Sequence, residues 1–196
     1  MTDTAPAVAG TDDAQAETWY RVDSEDRIVG VGGGWRTGAP ESGAEAAGPS
    51  VIGTSLYDHV AGHFTRKFLK DFLRRARESP VAPRRTYRCD SPQAKRLMEM
   101  RAEACDPGVL QVTHRALDER PLPFPIRFEE VGKRAIAGVL RCSLCNRLRR
   151  KLGDIAVWRE PETCVAPDST TRVVHTVCQD CRNGIAAKDR WIATPK

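Results

Sequence analysis

Long apolar runs are missing from this chain of 196 residues. The longest, residues 135–140, ends at Arg141, far short of the roughly 18 residues that a membrane-spanning helix needs. The N-terminus also lacks the basic start and apolar segment of a secretory signal. We therefore expect a cytoplasmic protein with no membrane partner.

Apolar and aromatic residues are scarce, at 40% and 6% of the chain. A globular chain typically has roughly 45 to 50% apolar residues, so we expect a modest core with polar tails. Residues 1–16 contain a single Val as their only branched apolar residue beyond the initiator, which predicts a disordered leader.

Recognisable catalytic motifs are missing as well. The glycines at 30, 32, 33 and 34 have neither the GxGxxG register nor the Lys and Ser or Thr of a P-loop, and they predict a turn or strand end. No kinase core, nucleotide-binding motif or Ser-His-Asp set is evident. We therefore expect a protein that is not an enzyme.

Charge is unevenly distributed along the chain. Residues 1–62 hold three Arg and ten acidic residues, and residues 63–196 hold 28 Lys or Arg and 16 acidic residues, so the two parts carry −7 and +12 of the net +5. This asymmetry favours an anionic partner for the later part, although interspersed surface arginines are the commoner explanation.

The pattern of apolar residues predicts an α+β fold. "WYRVD" and "RIVGVG" read as a β-hairpin, and an amphipathic helix is predicted over His63–Glu78. Three strands follow, "RRTYRC", "AKRLMEMRAEA" and "VLQVTHRAL", the last two joined by a turn at 106–108. Met98, Met100 and Ala102 share one face, and His114 shares a face with Leu110, Val112 and Ala116, where a hydrogen-bonded core histidine is the favoured interpretation.

Proline marks the predicted domain boundary. The prolines at 121, 123 and 125 predict an extended linker over residues 121–134, between a unit at 17–120 and a small module at 135–196.

The module contains four cysteines as two CxxC turns, Cys142 with Cys145 and Cys178 with Cys181, separated by 32 residues. Four thiolates suit a tetrahedral, structural Zn²⁺ with no open position for a hydrolytic water. The long separation predicts an inserted hairpin or helix, as in a zinc-ribbon-like module, and Gly184 predicts a tight turn. His175 is an alternative ligand or a group that orients one, and Cys164 is a less favoured substitute. Unrelated thiols or a redox dithiol are the rival explanations.

The stretch from Trp19 to Arg120 resembles a PAS sensory domain. "RVDSEDRIVGVGGGW", "VIGTSLYDHV" and "RTYRCDSPQAKRLMEMRA" are similar to PAS segments. The resemblance implies a five-stranded antiparallel sheet with helices on one face, a central pocket and a tendency to form homodimers or to engage a signalling partner. The side chains expected at that pocket are Phe64, Phe68, Phe72, Met98, Met100 and His114.

Haem-binding PAS domains use a histidine on the main helix, and His59 and His63 have the spacing of a helical metal pair. Exposed histidines at a helix end are the favoured interpretation, so we do not expect haem or another PAS ligand. Cys89 is expected to be an inert buried thiol.

The segments "RCSLCNRLRRKLGDIAVW" and "VVHTVCQDC" also resemble a cysteine module found behind PAS domains in bacterial signalling proteins. The resemblance implies a regulatory context, and the insertion "REPETCVAPDSTTR" departs from it. Our leading hypothesis is a non-catalytic PAS-like sensor coupled to a structural zinc module. One alternative is a nucleic-acid-binding regulator with phosphate contacts at Arg147, Arg149, Arg150 and Lys151, and the other is a haem or thiol redox sensor.

Overall fold

A computed structural model describes residues 17–34, 51–131 and 138–184, together with Ala187 and Trp191. Within these residues the chain is mostly β, with two sheets of five strands each and one long helix. The predicted disordered leader lies outside the described residues. No helix in these described ranges has both the length and the apolar character to cross a bilayer.

The first sheet is antiparallel throughout and confirms the predicted hairpin and the three later strands. Its strands follow the order β2-β1-β5-β4-β3. Their bounds are Thr18–Val22 for β1, Ile28–Gly33 for β2, Arg84–Arg88 for β3, Ala94–Asp106 for β4 and Val109–Pro121 for β5. Gly33 ends β2 with φ at 67°, and a Cβ there would lie 1.7 Å from the Glu17 carbonyl oxygen, so only glycine fits.

The two longest strands, β4 and β5, are joined at the predicted turn, where Gly108 has φ of 76°. Their register places the two predicted apolar faces opposite each other. The cross-strand pairs are Met98 with Ala116, Met100 with His114, and Ala102 with Val112.

Helix α1 spans His63–Glu78, as predicted. Its apolar spacing turns Leu69, Phe72, Leu73 and Ala76 inward onto β4 and β5. The opposite face carries the ion pairs Lys67–Asp71 and Arg74–Glu78 at i,i+4 spacing.

The second sheet has the order β6-β10-β7-β8-β9, with β10 parallel to both β6 and β7 and the remaining pairs antiparallel. The bounds are Arg127–Glu130 for β6, Val139–Cys142 for β7, Leu148–Leu152 for β8, Ile155–Arg159 for β9 and Thr170–Thr176 for β10. A short helix α2 follows at Gln179–Arg182. The hairpin β8–β9 and strand β10 lie between the two CxxC turns, which confirms the predicted insertion.

The segment predicted as a Pro-rich linker, 121–134, supplies strand β6 of the second sheet. Leu122 donates its backbone N–H to Gln93 at 2.7 Å, and Ile126 donates to Pro92 at 2.8 Å. The Ile126 side chain is buried. This segment therefore binds the loop between β3 and β4 while it contributes a strand to the second sheet.

The two sheets share one apolar core. Cys142 at the end of β7 and Leu144 and Cys145 in the turn after it belong to the same buried cluster as Leu69 and Phe72 of α1. The cysteine turns are therefore in contact with the helix that covers the first sheet.

Candidate metal centre

The predicted ligands Cys142, Cys145, Cys178 and Cys181 come together as a buried cluster whose Sγ atoms all lie within 4.8 Å of one another. The Sγ atoms of Cys145 and Cys178 are 3.8 Å apart. A regular tetrahedron of sulfurs at about 2.3 Å from a central ion has edges of about 3.8 Å. The sulfur spacing therefore fits a tetrahedral metal ion.

The first CxxC turn connects β7 to β8. Cys142 is the last residue of β7, and its N–H donates to the Arg147 carbonyl at 2.9 Å. Asn146 closes the turn with φ of 58°, a left-handed conformation that Asn tolerates better than most residues. This turn brings Cys145 back beside Cys142.

The second CxxC turn begins α2. Cys178 is the N-cap of that helix and Cys181 lies in its single turn. Gly184 follows with φ of 91° and donates its N–H to the Cys181 carbonyl at 3.4 Å, which confirms the predicted tight turn. The Cys178 N–H also donates to the Cys142 sulfur at 3.4 Å, a contact that stabilises a thiolate.

The neighbouring sulfurs control one another's protonation. Hydrogen bonds from the other cysteines, with Cys142 foremost, lower the pKa of Cys145. Hydrogen bonds with the other three cysteines, again with Cys142 foremost, raise the pKa of Cys181. Four adjacent thiolates repel one another strongly without a cation. A bound dication removes that conflict because it lowers the pKa of every coordinating thiol.

Arg147 supplies a positive charge beside the cluster. Its Nη2 donates to the Asp180 carboxylate at 2.6 Å and lies 4.0 Å from the Cys178 sulfur. Burial lowers the pKa of Arg147, but the hydrogen bonds to Cys145 and Asp180 outweigh this effect. The net result is a raised pKa, so the side chain stays cationic. Arg147 was predicted to contact phosphate, whereas it pairs with Asp180 beside the cluster. Its position two residues after Cys145 could have indicated this role.

His175 lies outside the sulfur cluster. Its Nδ1 is 3.2 Å from the Ser143 hydroxyl, which in turn accepts a hydrogen bond from Thr65 at 2.7 Å. His175 therefore contacts the first CxxC turn through Ser143. Cys164 is also outside the cluster and donates to the Glu160 carbonyl at 3.4 Å.

The four predicted phosphate contacts do not form one patch. Arg147 is paired with Asp180, and Arg150 donates to the Cys164 carbonyl at 2.9 Å. Arg149 and Lys151 are exposed on β8.

The six side chains predicted to line a PAS pocket are in different environments. Phe72 and Met100 are buried, whereas Phe64 is 44% exposed beneath the Arg182 guanidinium. Phe68 stacks on Phe72 at 6.2 Å between ring centroids, and Met98 is half-buried. None of the six lines the cavity beside the first CxxC turn or the polar cavity on the first sheet near Glu99.

His114 is a hydrogen-bonded histidine on the apolar face. Its Nδ1 lies 2.8 Å from the Tyr87 hydroxyl, and its ring is 5.6 Å from that of Tyr20. Burial lowers the pKa of His114 to about 4, so the ring is neutral at pH 7.

The residues of the haem or redox hypothesis are dispersed. His59 ends a 3₁₀ helix at Leu56–His59 and contacts Thr54, whereas His63 begins α1 after Gly62. The two histidines are therefore not on one helix. Cys89 is exposed, so the expectation of a buried thiol is wrong; it follows the end of β3.

The sequence matches no protein-family model, and no curated protein shows significant similarity to it.

Proposed function

We propose that this chain is a non-catalytic signalling or regulatory protein in which a PAS-like sensory unit is coupled to a module folded around a structural Zn²⁺. The observation that carries the proposal is the four-cysteine cluster, which lies in the same core as helix α1. A metal bound there is in a position to influence the first sheet as well as its own module.

Zinc is the metal that this ligand set favours. Four thiolates at tetrahedral spacing are typical of structural zinc sites, and they fill the coordination shell completely. No position then remains for a reactive water, so the ion has a structural role and not a catalytic one. A structural zinc supplies roughly 10 kcal/mol or more of binding free energy, which a small module uses as folding free energy.

The first sheet supports the sensory part of the proposal. Five antiparallel strands with α1 on one face agree with the architecture that the PAS resemblance implies. We propose that this unit engages a signalling protein or a second copy of the chain, in the cytoplasm.

Direct hydrogen bonds connect the two parts. The Arg88 N–H donates to the Leu144 carbonyl at 2.9 Å, so the end of β3 binds the first CxxC turn. Arg85 of β3 donates to the Cys181 carbonyl at 3.1 Å, at the second turn. A change in the geometry of the metal cluster therefore reaches β3 through two backbone carbonyls.

Nucleic-acid binding is the weaker alternative. Two of its four predicted phosphate contacts, Arg147 and Arg150, already have partners within the protein. Four thiolates with one Zn²⁺ contribute −2, which lowers the formal net charge from +5 to about +3. Nonspecific attraction to phosphates is weakened accordingly.

Hydrogen exchange tests the coupling. Removal of the metal by a chelator should accelerate amide exchange in α1 and β3 as well as in the module, because all of them share the cluster's core. Exchange that accelerates only within residues 138–184 would show that the module folds independently and would contradict the proposal. The double variant Cys105→Ser with Cys164→Ser is the matched control, since it removes two thiols that lie outside the cluster.

A further inference from the structure

An open cavity of about 580 Å³ lies where the two sheets meet. This volume is within the range of roughly 300 to 1,000 Å³ that small-molecule sites occupy. Its walls come from the end of β3 and the loop after it, from the segment before β6, from strand β7 and from the first CxxC turn. Polar side chains in the lining include Arg88, Cys89, Asp90, Arg127, Arg141 and Asn146.

Two buried donors at this cavity have no acceptor. The Nε of Arg141 and the Nδ2 of Asn146 lack a hydrogen-bond partner among the described residues. Asn146 is only 4% exposed. Both atoms are closed to solvent, so an acceptor in the cavity reaches them only after a small displacement of the side chains. That displacement gives each donor the hydrogen bond that it lacks, which is favourable because an unsatisfied buried donor is costly.

Charge at the cavity is predominantly positive. The Asp90 carboxylate is engaged by Arg88, whose Nη2 lies 2.5 Å from it. Within the described ranges, Arg127 and Arg141 form no ion pair. The Asp90 carboxylate also offsets part of the Arg141 charge, but the cavity holds three arginines against this one carboxylate and remains positive.

Arg141 is held in place by an aromatic ring. Its guanidinium carbon lies 4.1 Å from the centroid of the Phe128 ring. Stacking of this kind restrains the planar group and leaves its edge free to donate hydrogen bonds.

Much of the remaining wall is apolar. It is formed by Pro92, Leu122, Ile126, Phe128 and Pro161. A ligand that fills the cavity must therefore combine an anionic end with an apolar body, because a small inorganic anion would leave these side chains uncovered.

We propose that this cavity binds a small monocarboxylate with an apolar body, whose carboxylate accepts hydrogen bonds from Arg141 and Asn146. The apolar body packs against Leu122, Ile126 and Phe128. The site lies outside the core of the first sheet and involves no cluster sulfur. It goes beyond the proposed function and depends on it only in that the first CxxC turn must be folded.

Two exposed thiols provide a direct readout. Cys89 lines the cavity, whereas Cys105 is exposed at the end of β4, away from it. Alkylation by iodoacetamide, followed peptide by peptide by mass spectrometry, would be measured with a panel of straight-chain and aryl-alkyl monocarboxylates. Their primary amides serve as uncharged controls. At least one carboxylate should slow the alkylation of Cys89 in a saturable way and leave Cys105 unchanged.

Variants identify the donors. Arg141→Gln should raise the half-protecting concentration of the carboxylate about tenfold or more, since it removes a charged donor. Asn146→Asp keeps a residue that tolerates the left-handed turn and places a negative charge beside the ligand, so it should abolish protection. Arg149→Gln is the matched control, because Arg149 is exposed on β8 and does not line the cavity.

Three results would overturn the proposal: no carboxylate protects Cys89, an amide protects as well as its acid, or both cavity variants retain the wild-type protection. Zinc content is measured in every sample. One zinc per chain without protection of Cys89 would reject the carboxylate site and leave the zinc module intact. Protection of Cys89 in protein that holds no zinc would support the carboxylate site and reject the structural zinc.

Discussion

The Arg147 guanidinium donates to the Asp180 carboxylate at 2.6 Å, and this ion pair joins the first CxxC turn to the second. Arg147 follows Cys145 by two residues, and Asp180 lies between the cysteines of the second turn. The same guanidinium lies 4.0 Å from the Cys178 sulfur. The pair therefore holds the two halves of the ligand set together and places a cation beside a negatively charged site.

Loss of this cation should weaken metal binding. We expect Arg147→Gln to lower the affinity for Zn²⁺ roughly 10- to 100-fold, the usual effect of removing a group that contacts the ligands of a metal. A competition titration against a chromophoric chelator measures the change. Arg149→Gln removes the same charge from an exposed position two residues along and should have little effect. Equal affinities for both variants would show that Arg147 has no role at the cluster.

The ion pairs around Arg88 should be important for stability. Its side chain is 6% exposed, contacts Asp90 on one side and lies 2.5 Å from the Glu160 carboxylate on the other. Arg88→Met would leave Asp90 buried without its partner, and removing one member of a buried pair costs roughly 3 to 5 kcal/mol.

Urea unfolding measures this loss, and Arg74→Gln provides the comparison. The Arg74–Glu78 pair is 58% exposed at both side chains, so its removal should change the free energy of unfolding by at most about 0.5 kcal/mol. Similar losses for the two variants would contradict the interpretation of Arg88 as a buried anchor.

His114 should make the protein less stable in acid. Burial lowers its pKa to about 4, whereas an unfolded-state histidine titrates near 6.5. Between these values the unfolded chain binds more protons than the native one, so stability falls as the pH decreases from about 6.5 to 4. The Tyr20 and Tyr87 rings that pack on His114 carry no charge in this range.

Replacement of the histidine isolates its contribution. His114→Gln should flatten the pH dependence of the unfolding free energy over this window by up to about 3 kcal/mol, which corresponds to the pKa difference. Chemical denaturation at a series of pH values measures it, and a titration of the His114 ring by NMR should give a pKa well below that of a free histidine. An unchanged pH profile, or a ring that titrates near 6.5, would reject this prediction.

Gly62 should be intolerant of a side chain. It precedes α1 with φ of 81°, and a Cβ there would lie 2.7 Å from the His175 carbonyl oxygen on β10. Gly62→Ala therefore combines backbone strain with a clash against backbone, and we expect a loss of roughly 2 to 3 kcal/mol.

Gly108→Ala is the matched control, because Gly108 also has a positive φ of 76° but an added Cβ would meet nothing within 4 Å. It should cost about 1 kcal/mol, which is the conformational part alone. Thermal or urea unfolding compares the two variants. If both lose the same stability, α1 and β10 are not packed as closely as described.

Local patterns in the sequence predicted the elements that depend on local order. The apolar spacing from Phe64 to Ala76 gave the correct bounds for α1, and Asp106-Pro107-Gly108 identified the β4–β5 turn. The two CxxC spacings correctly identified which cysteines come together, since each pair needs only a short turn to converge.

Features that depend on distant pairing could not be predicted in this way. Strand β6 directly follows a run of prolines that predicted an extended linker, and its partner β10 pairs with it in parallel from more than 40 residues later. Arg88 is followed closely by Asp90, but its other partner, Glu160, is 72 residues away in the sequence. Arg147 was assigned to phosphate because its sequence neighbours are basic, whereas its partner Asp180 is distant in sequence.

The metal content of the purified chain shows whether the four cysteines hold a structural zinc. Elemental analysis of zinc and iron would be made on protein prepared without a histidine tag or chelator, and compared with Cys142→Ser plus Cys178→Ser and with the control Cys105→Ser plus Cys164→Ser. We predict about one zinc and no iron per chain in the wild type and in the control, and loss of that zinc in the cluster variant. Iron in place of zinc, or zinc retained by the cluster variant, would show that the four cysteines are not a structural zinc site.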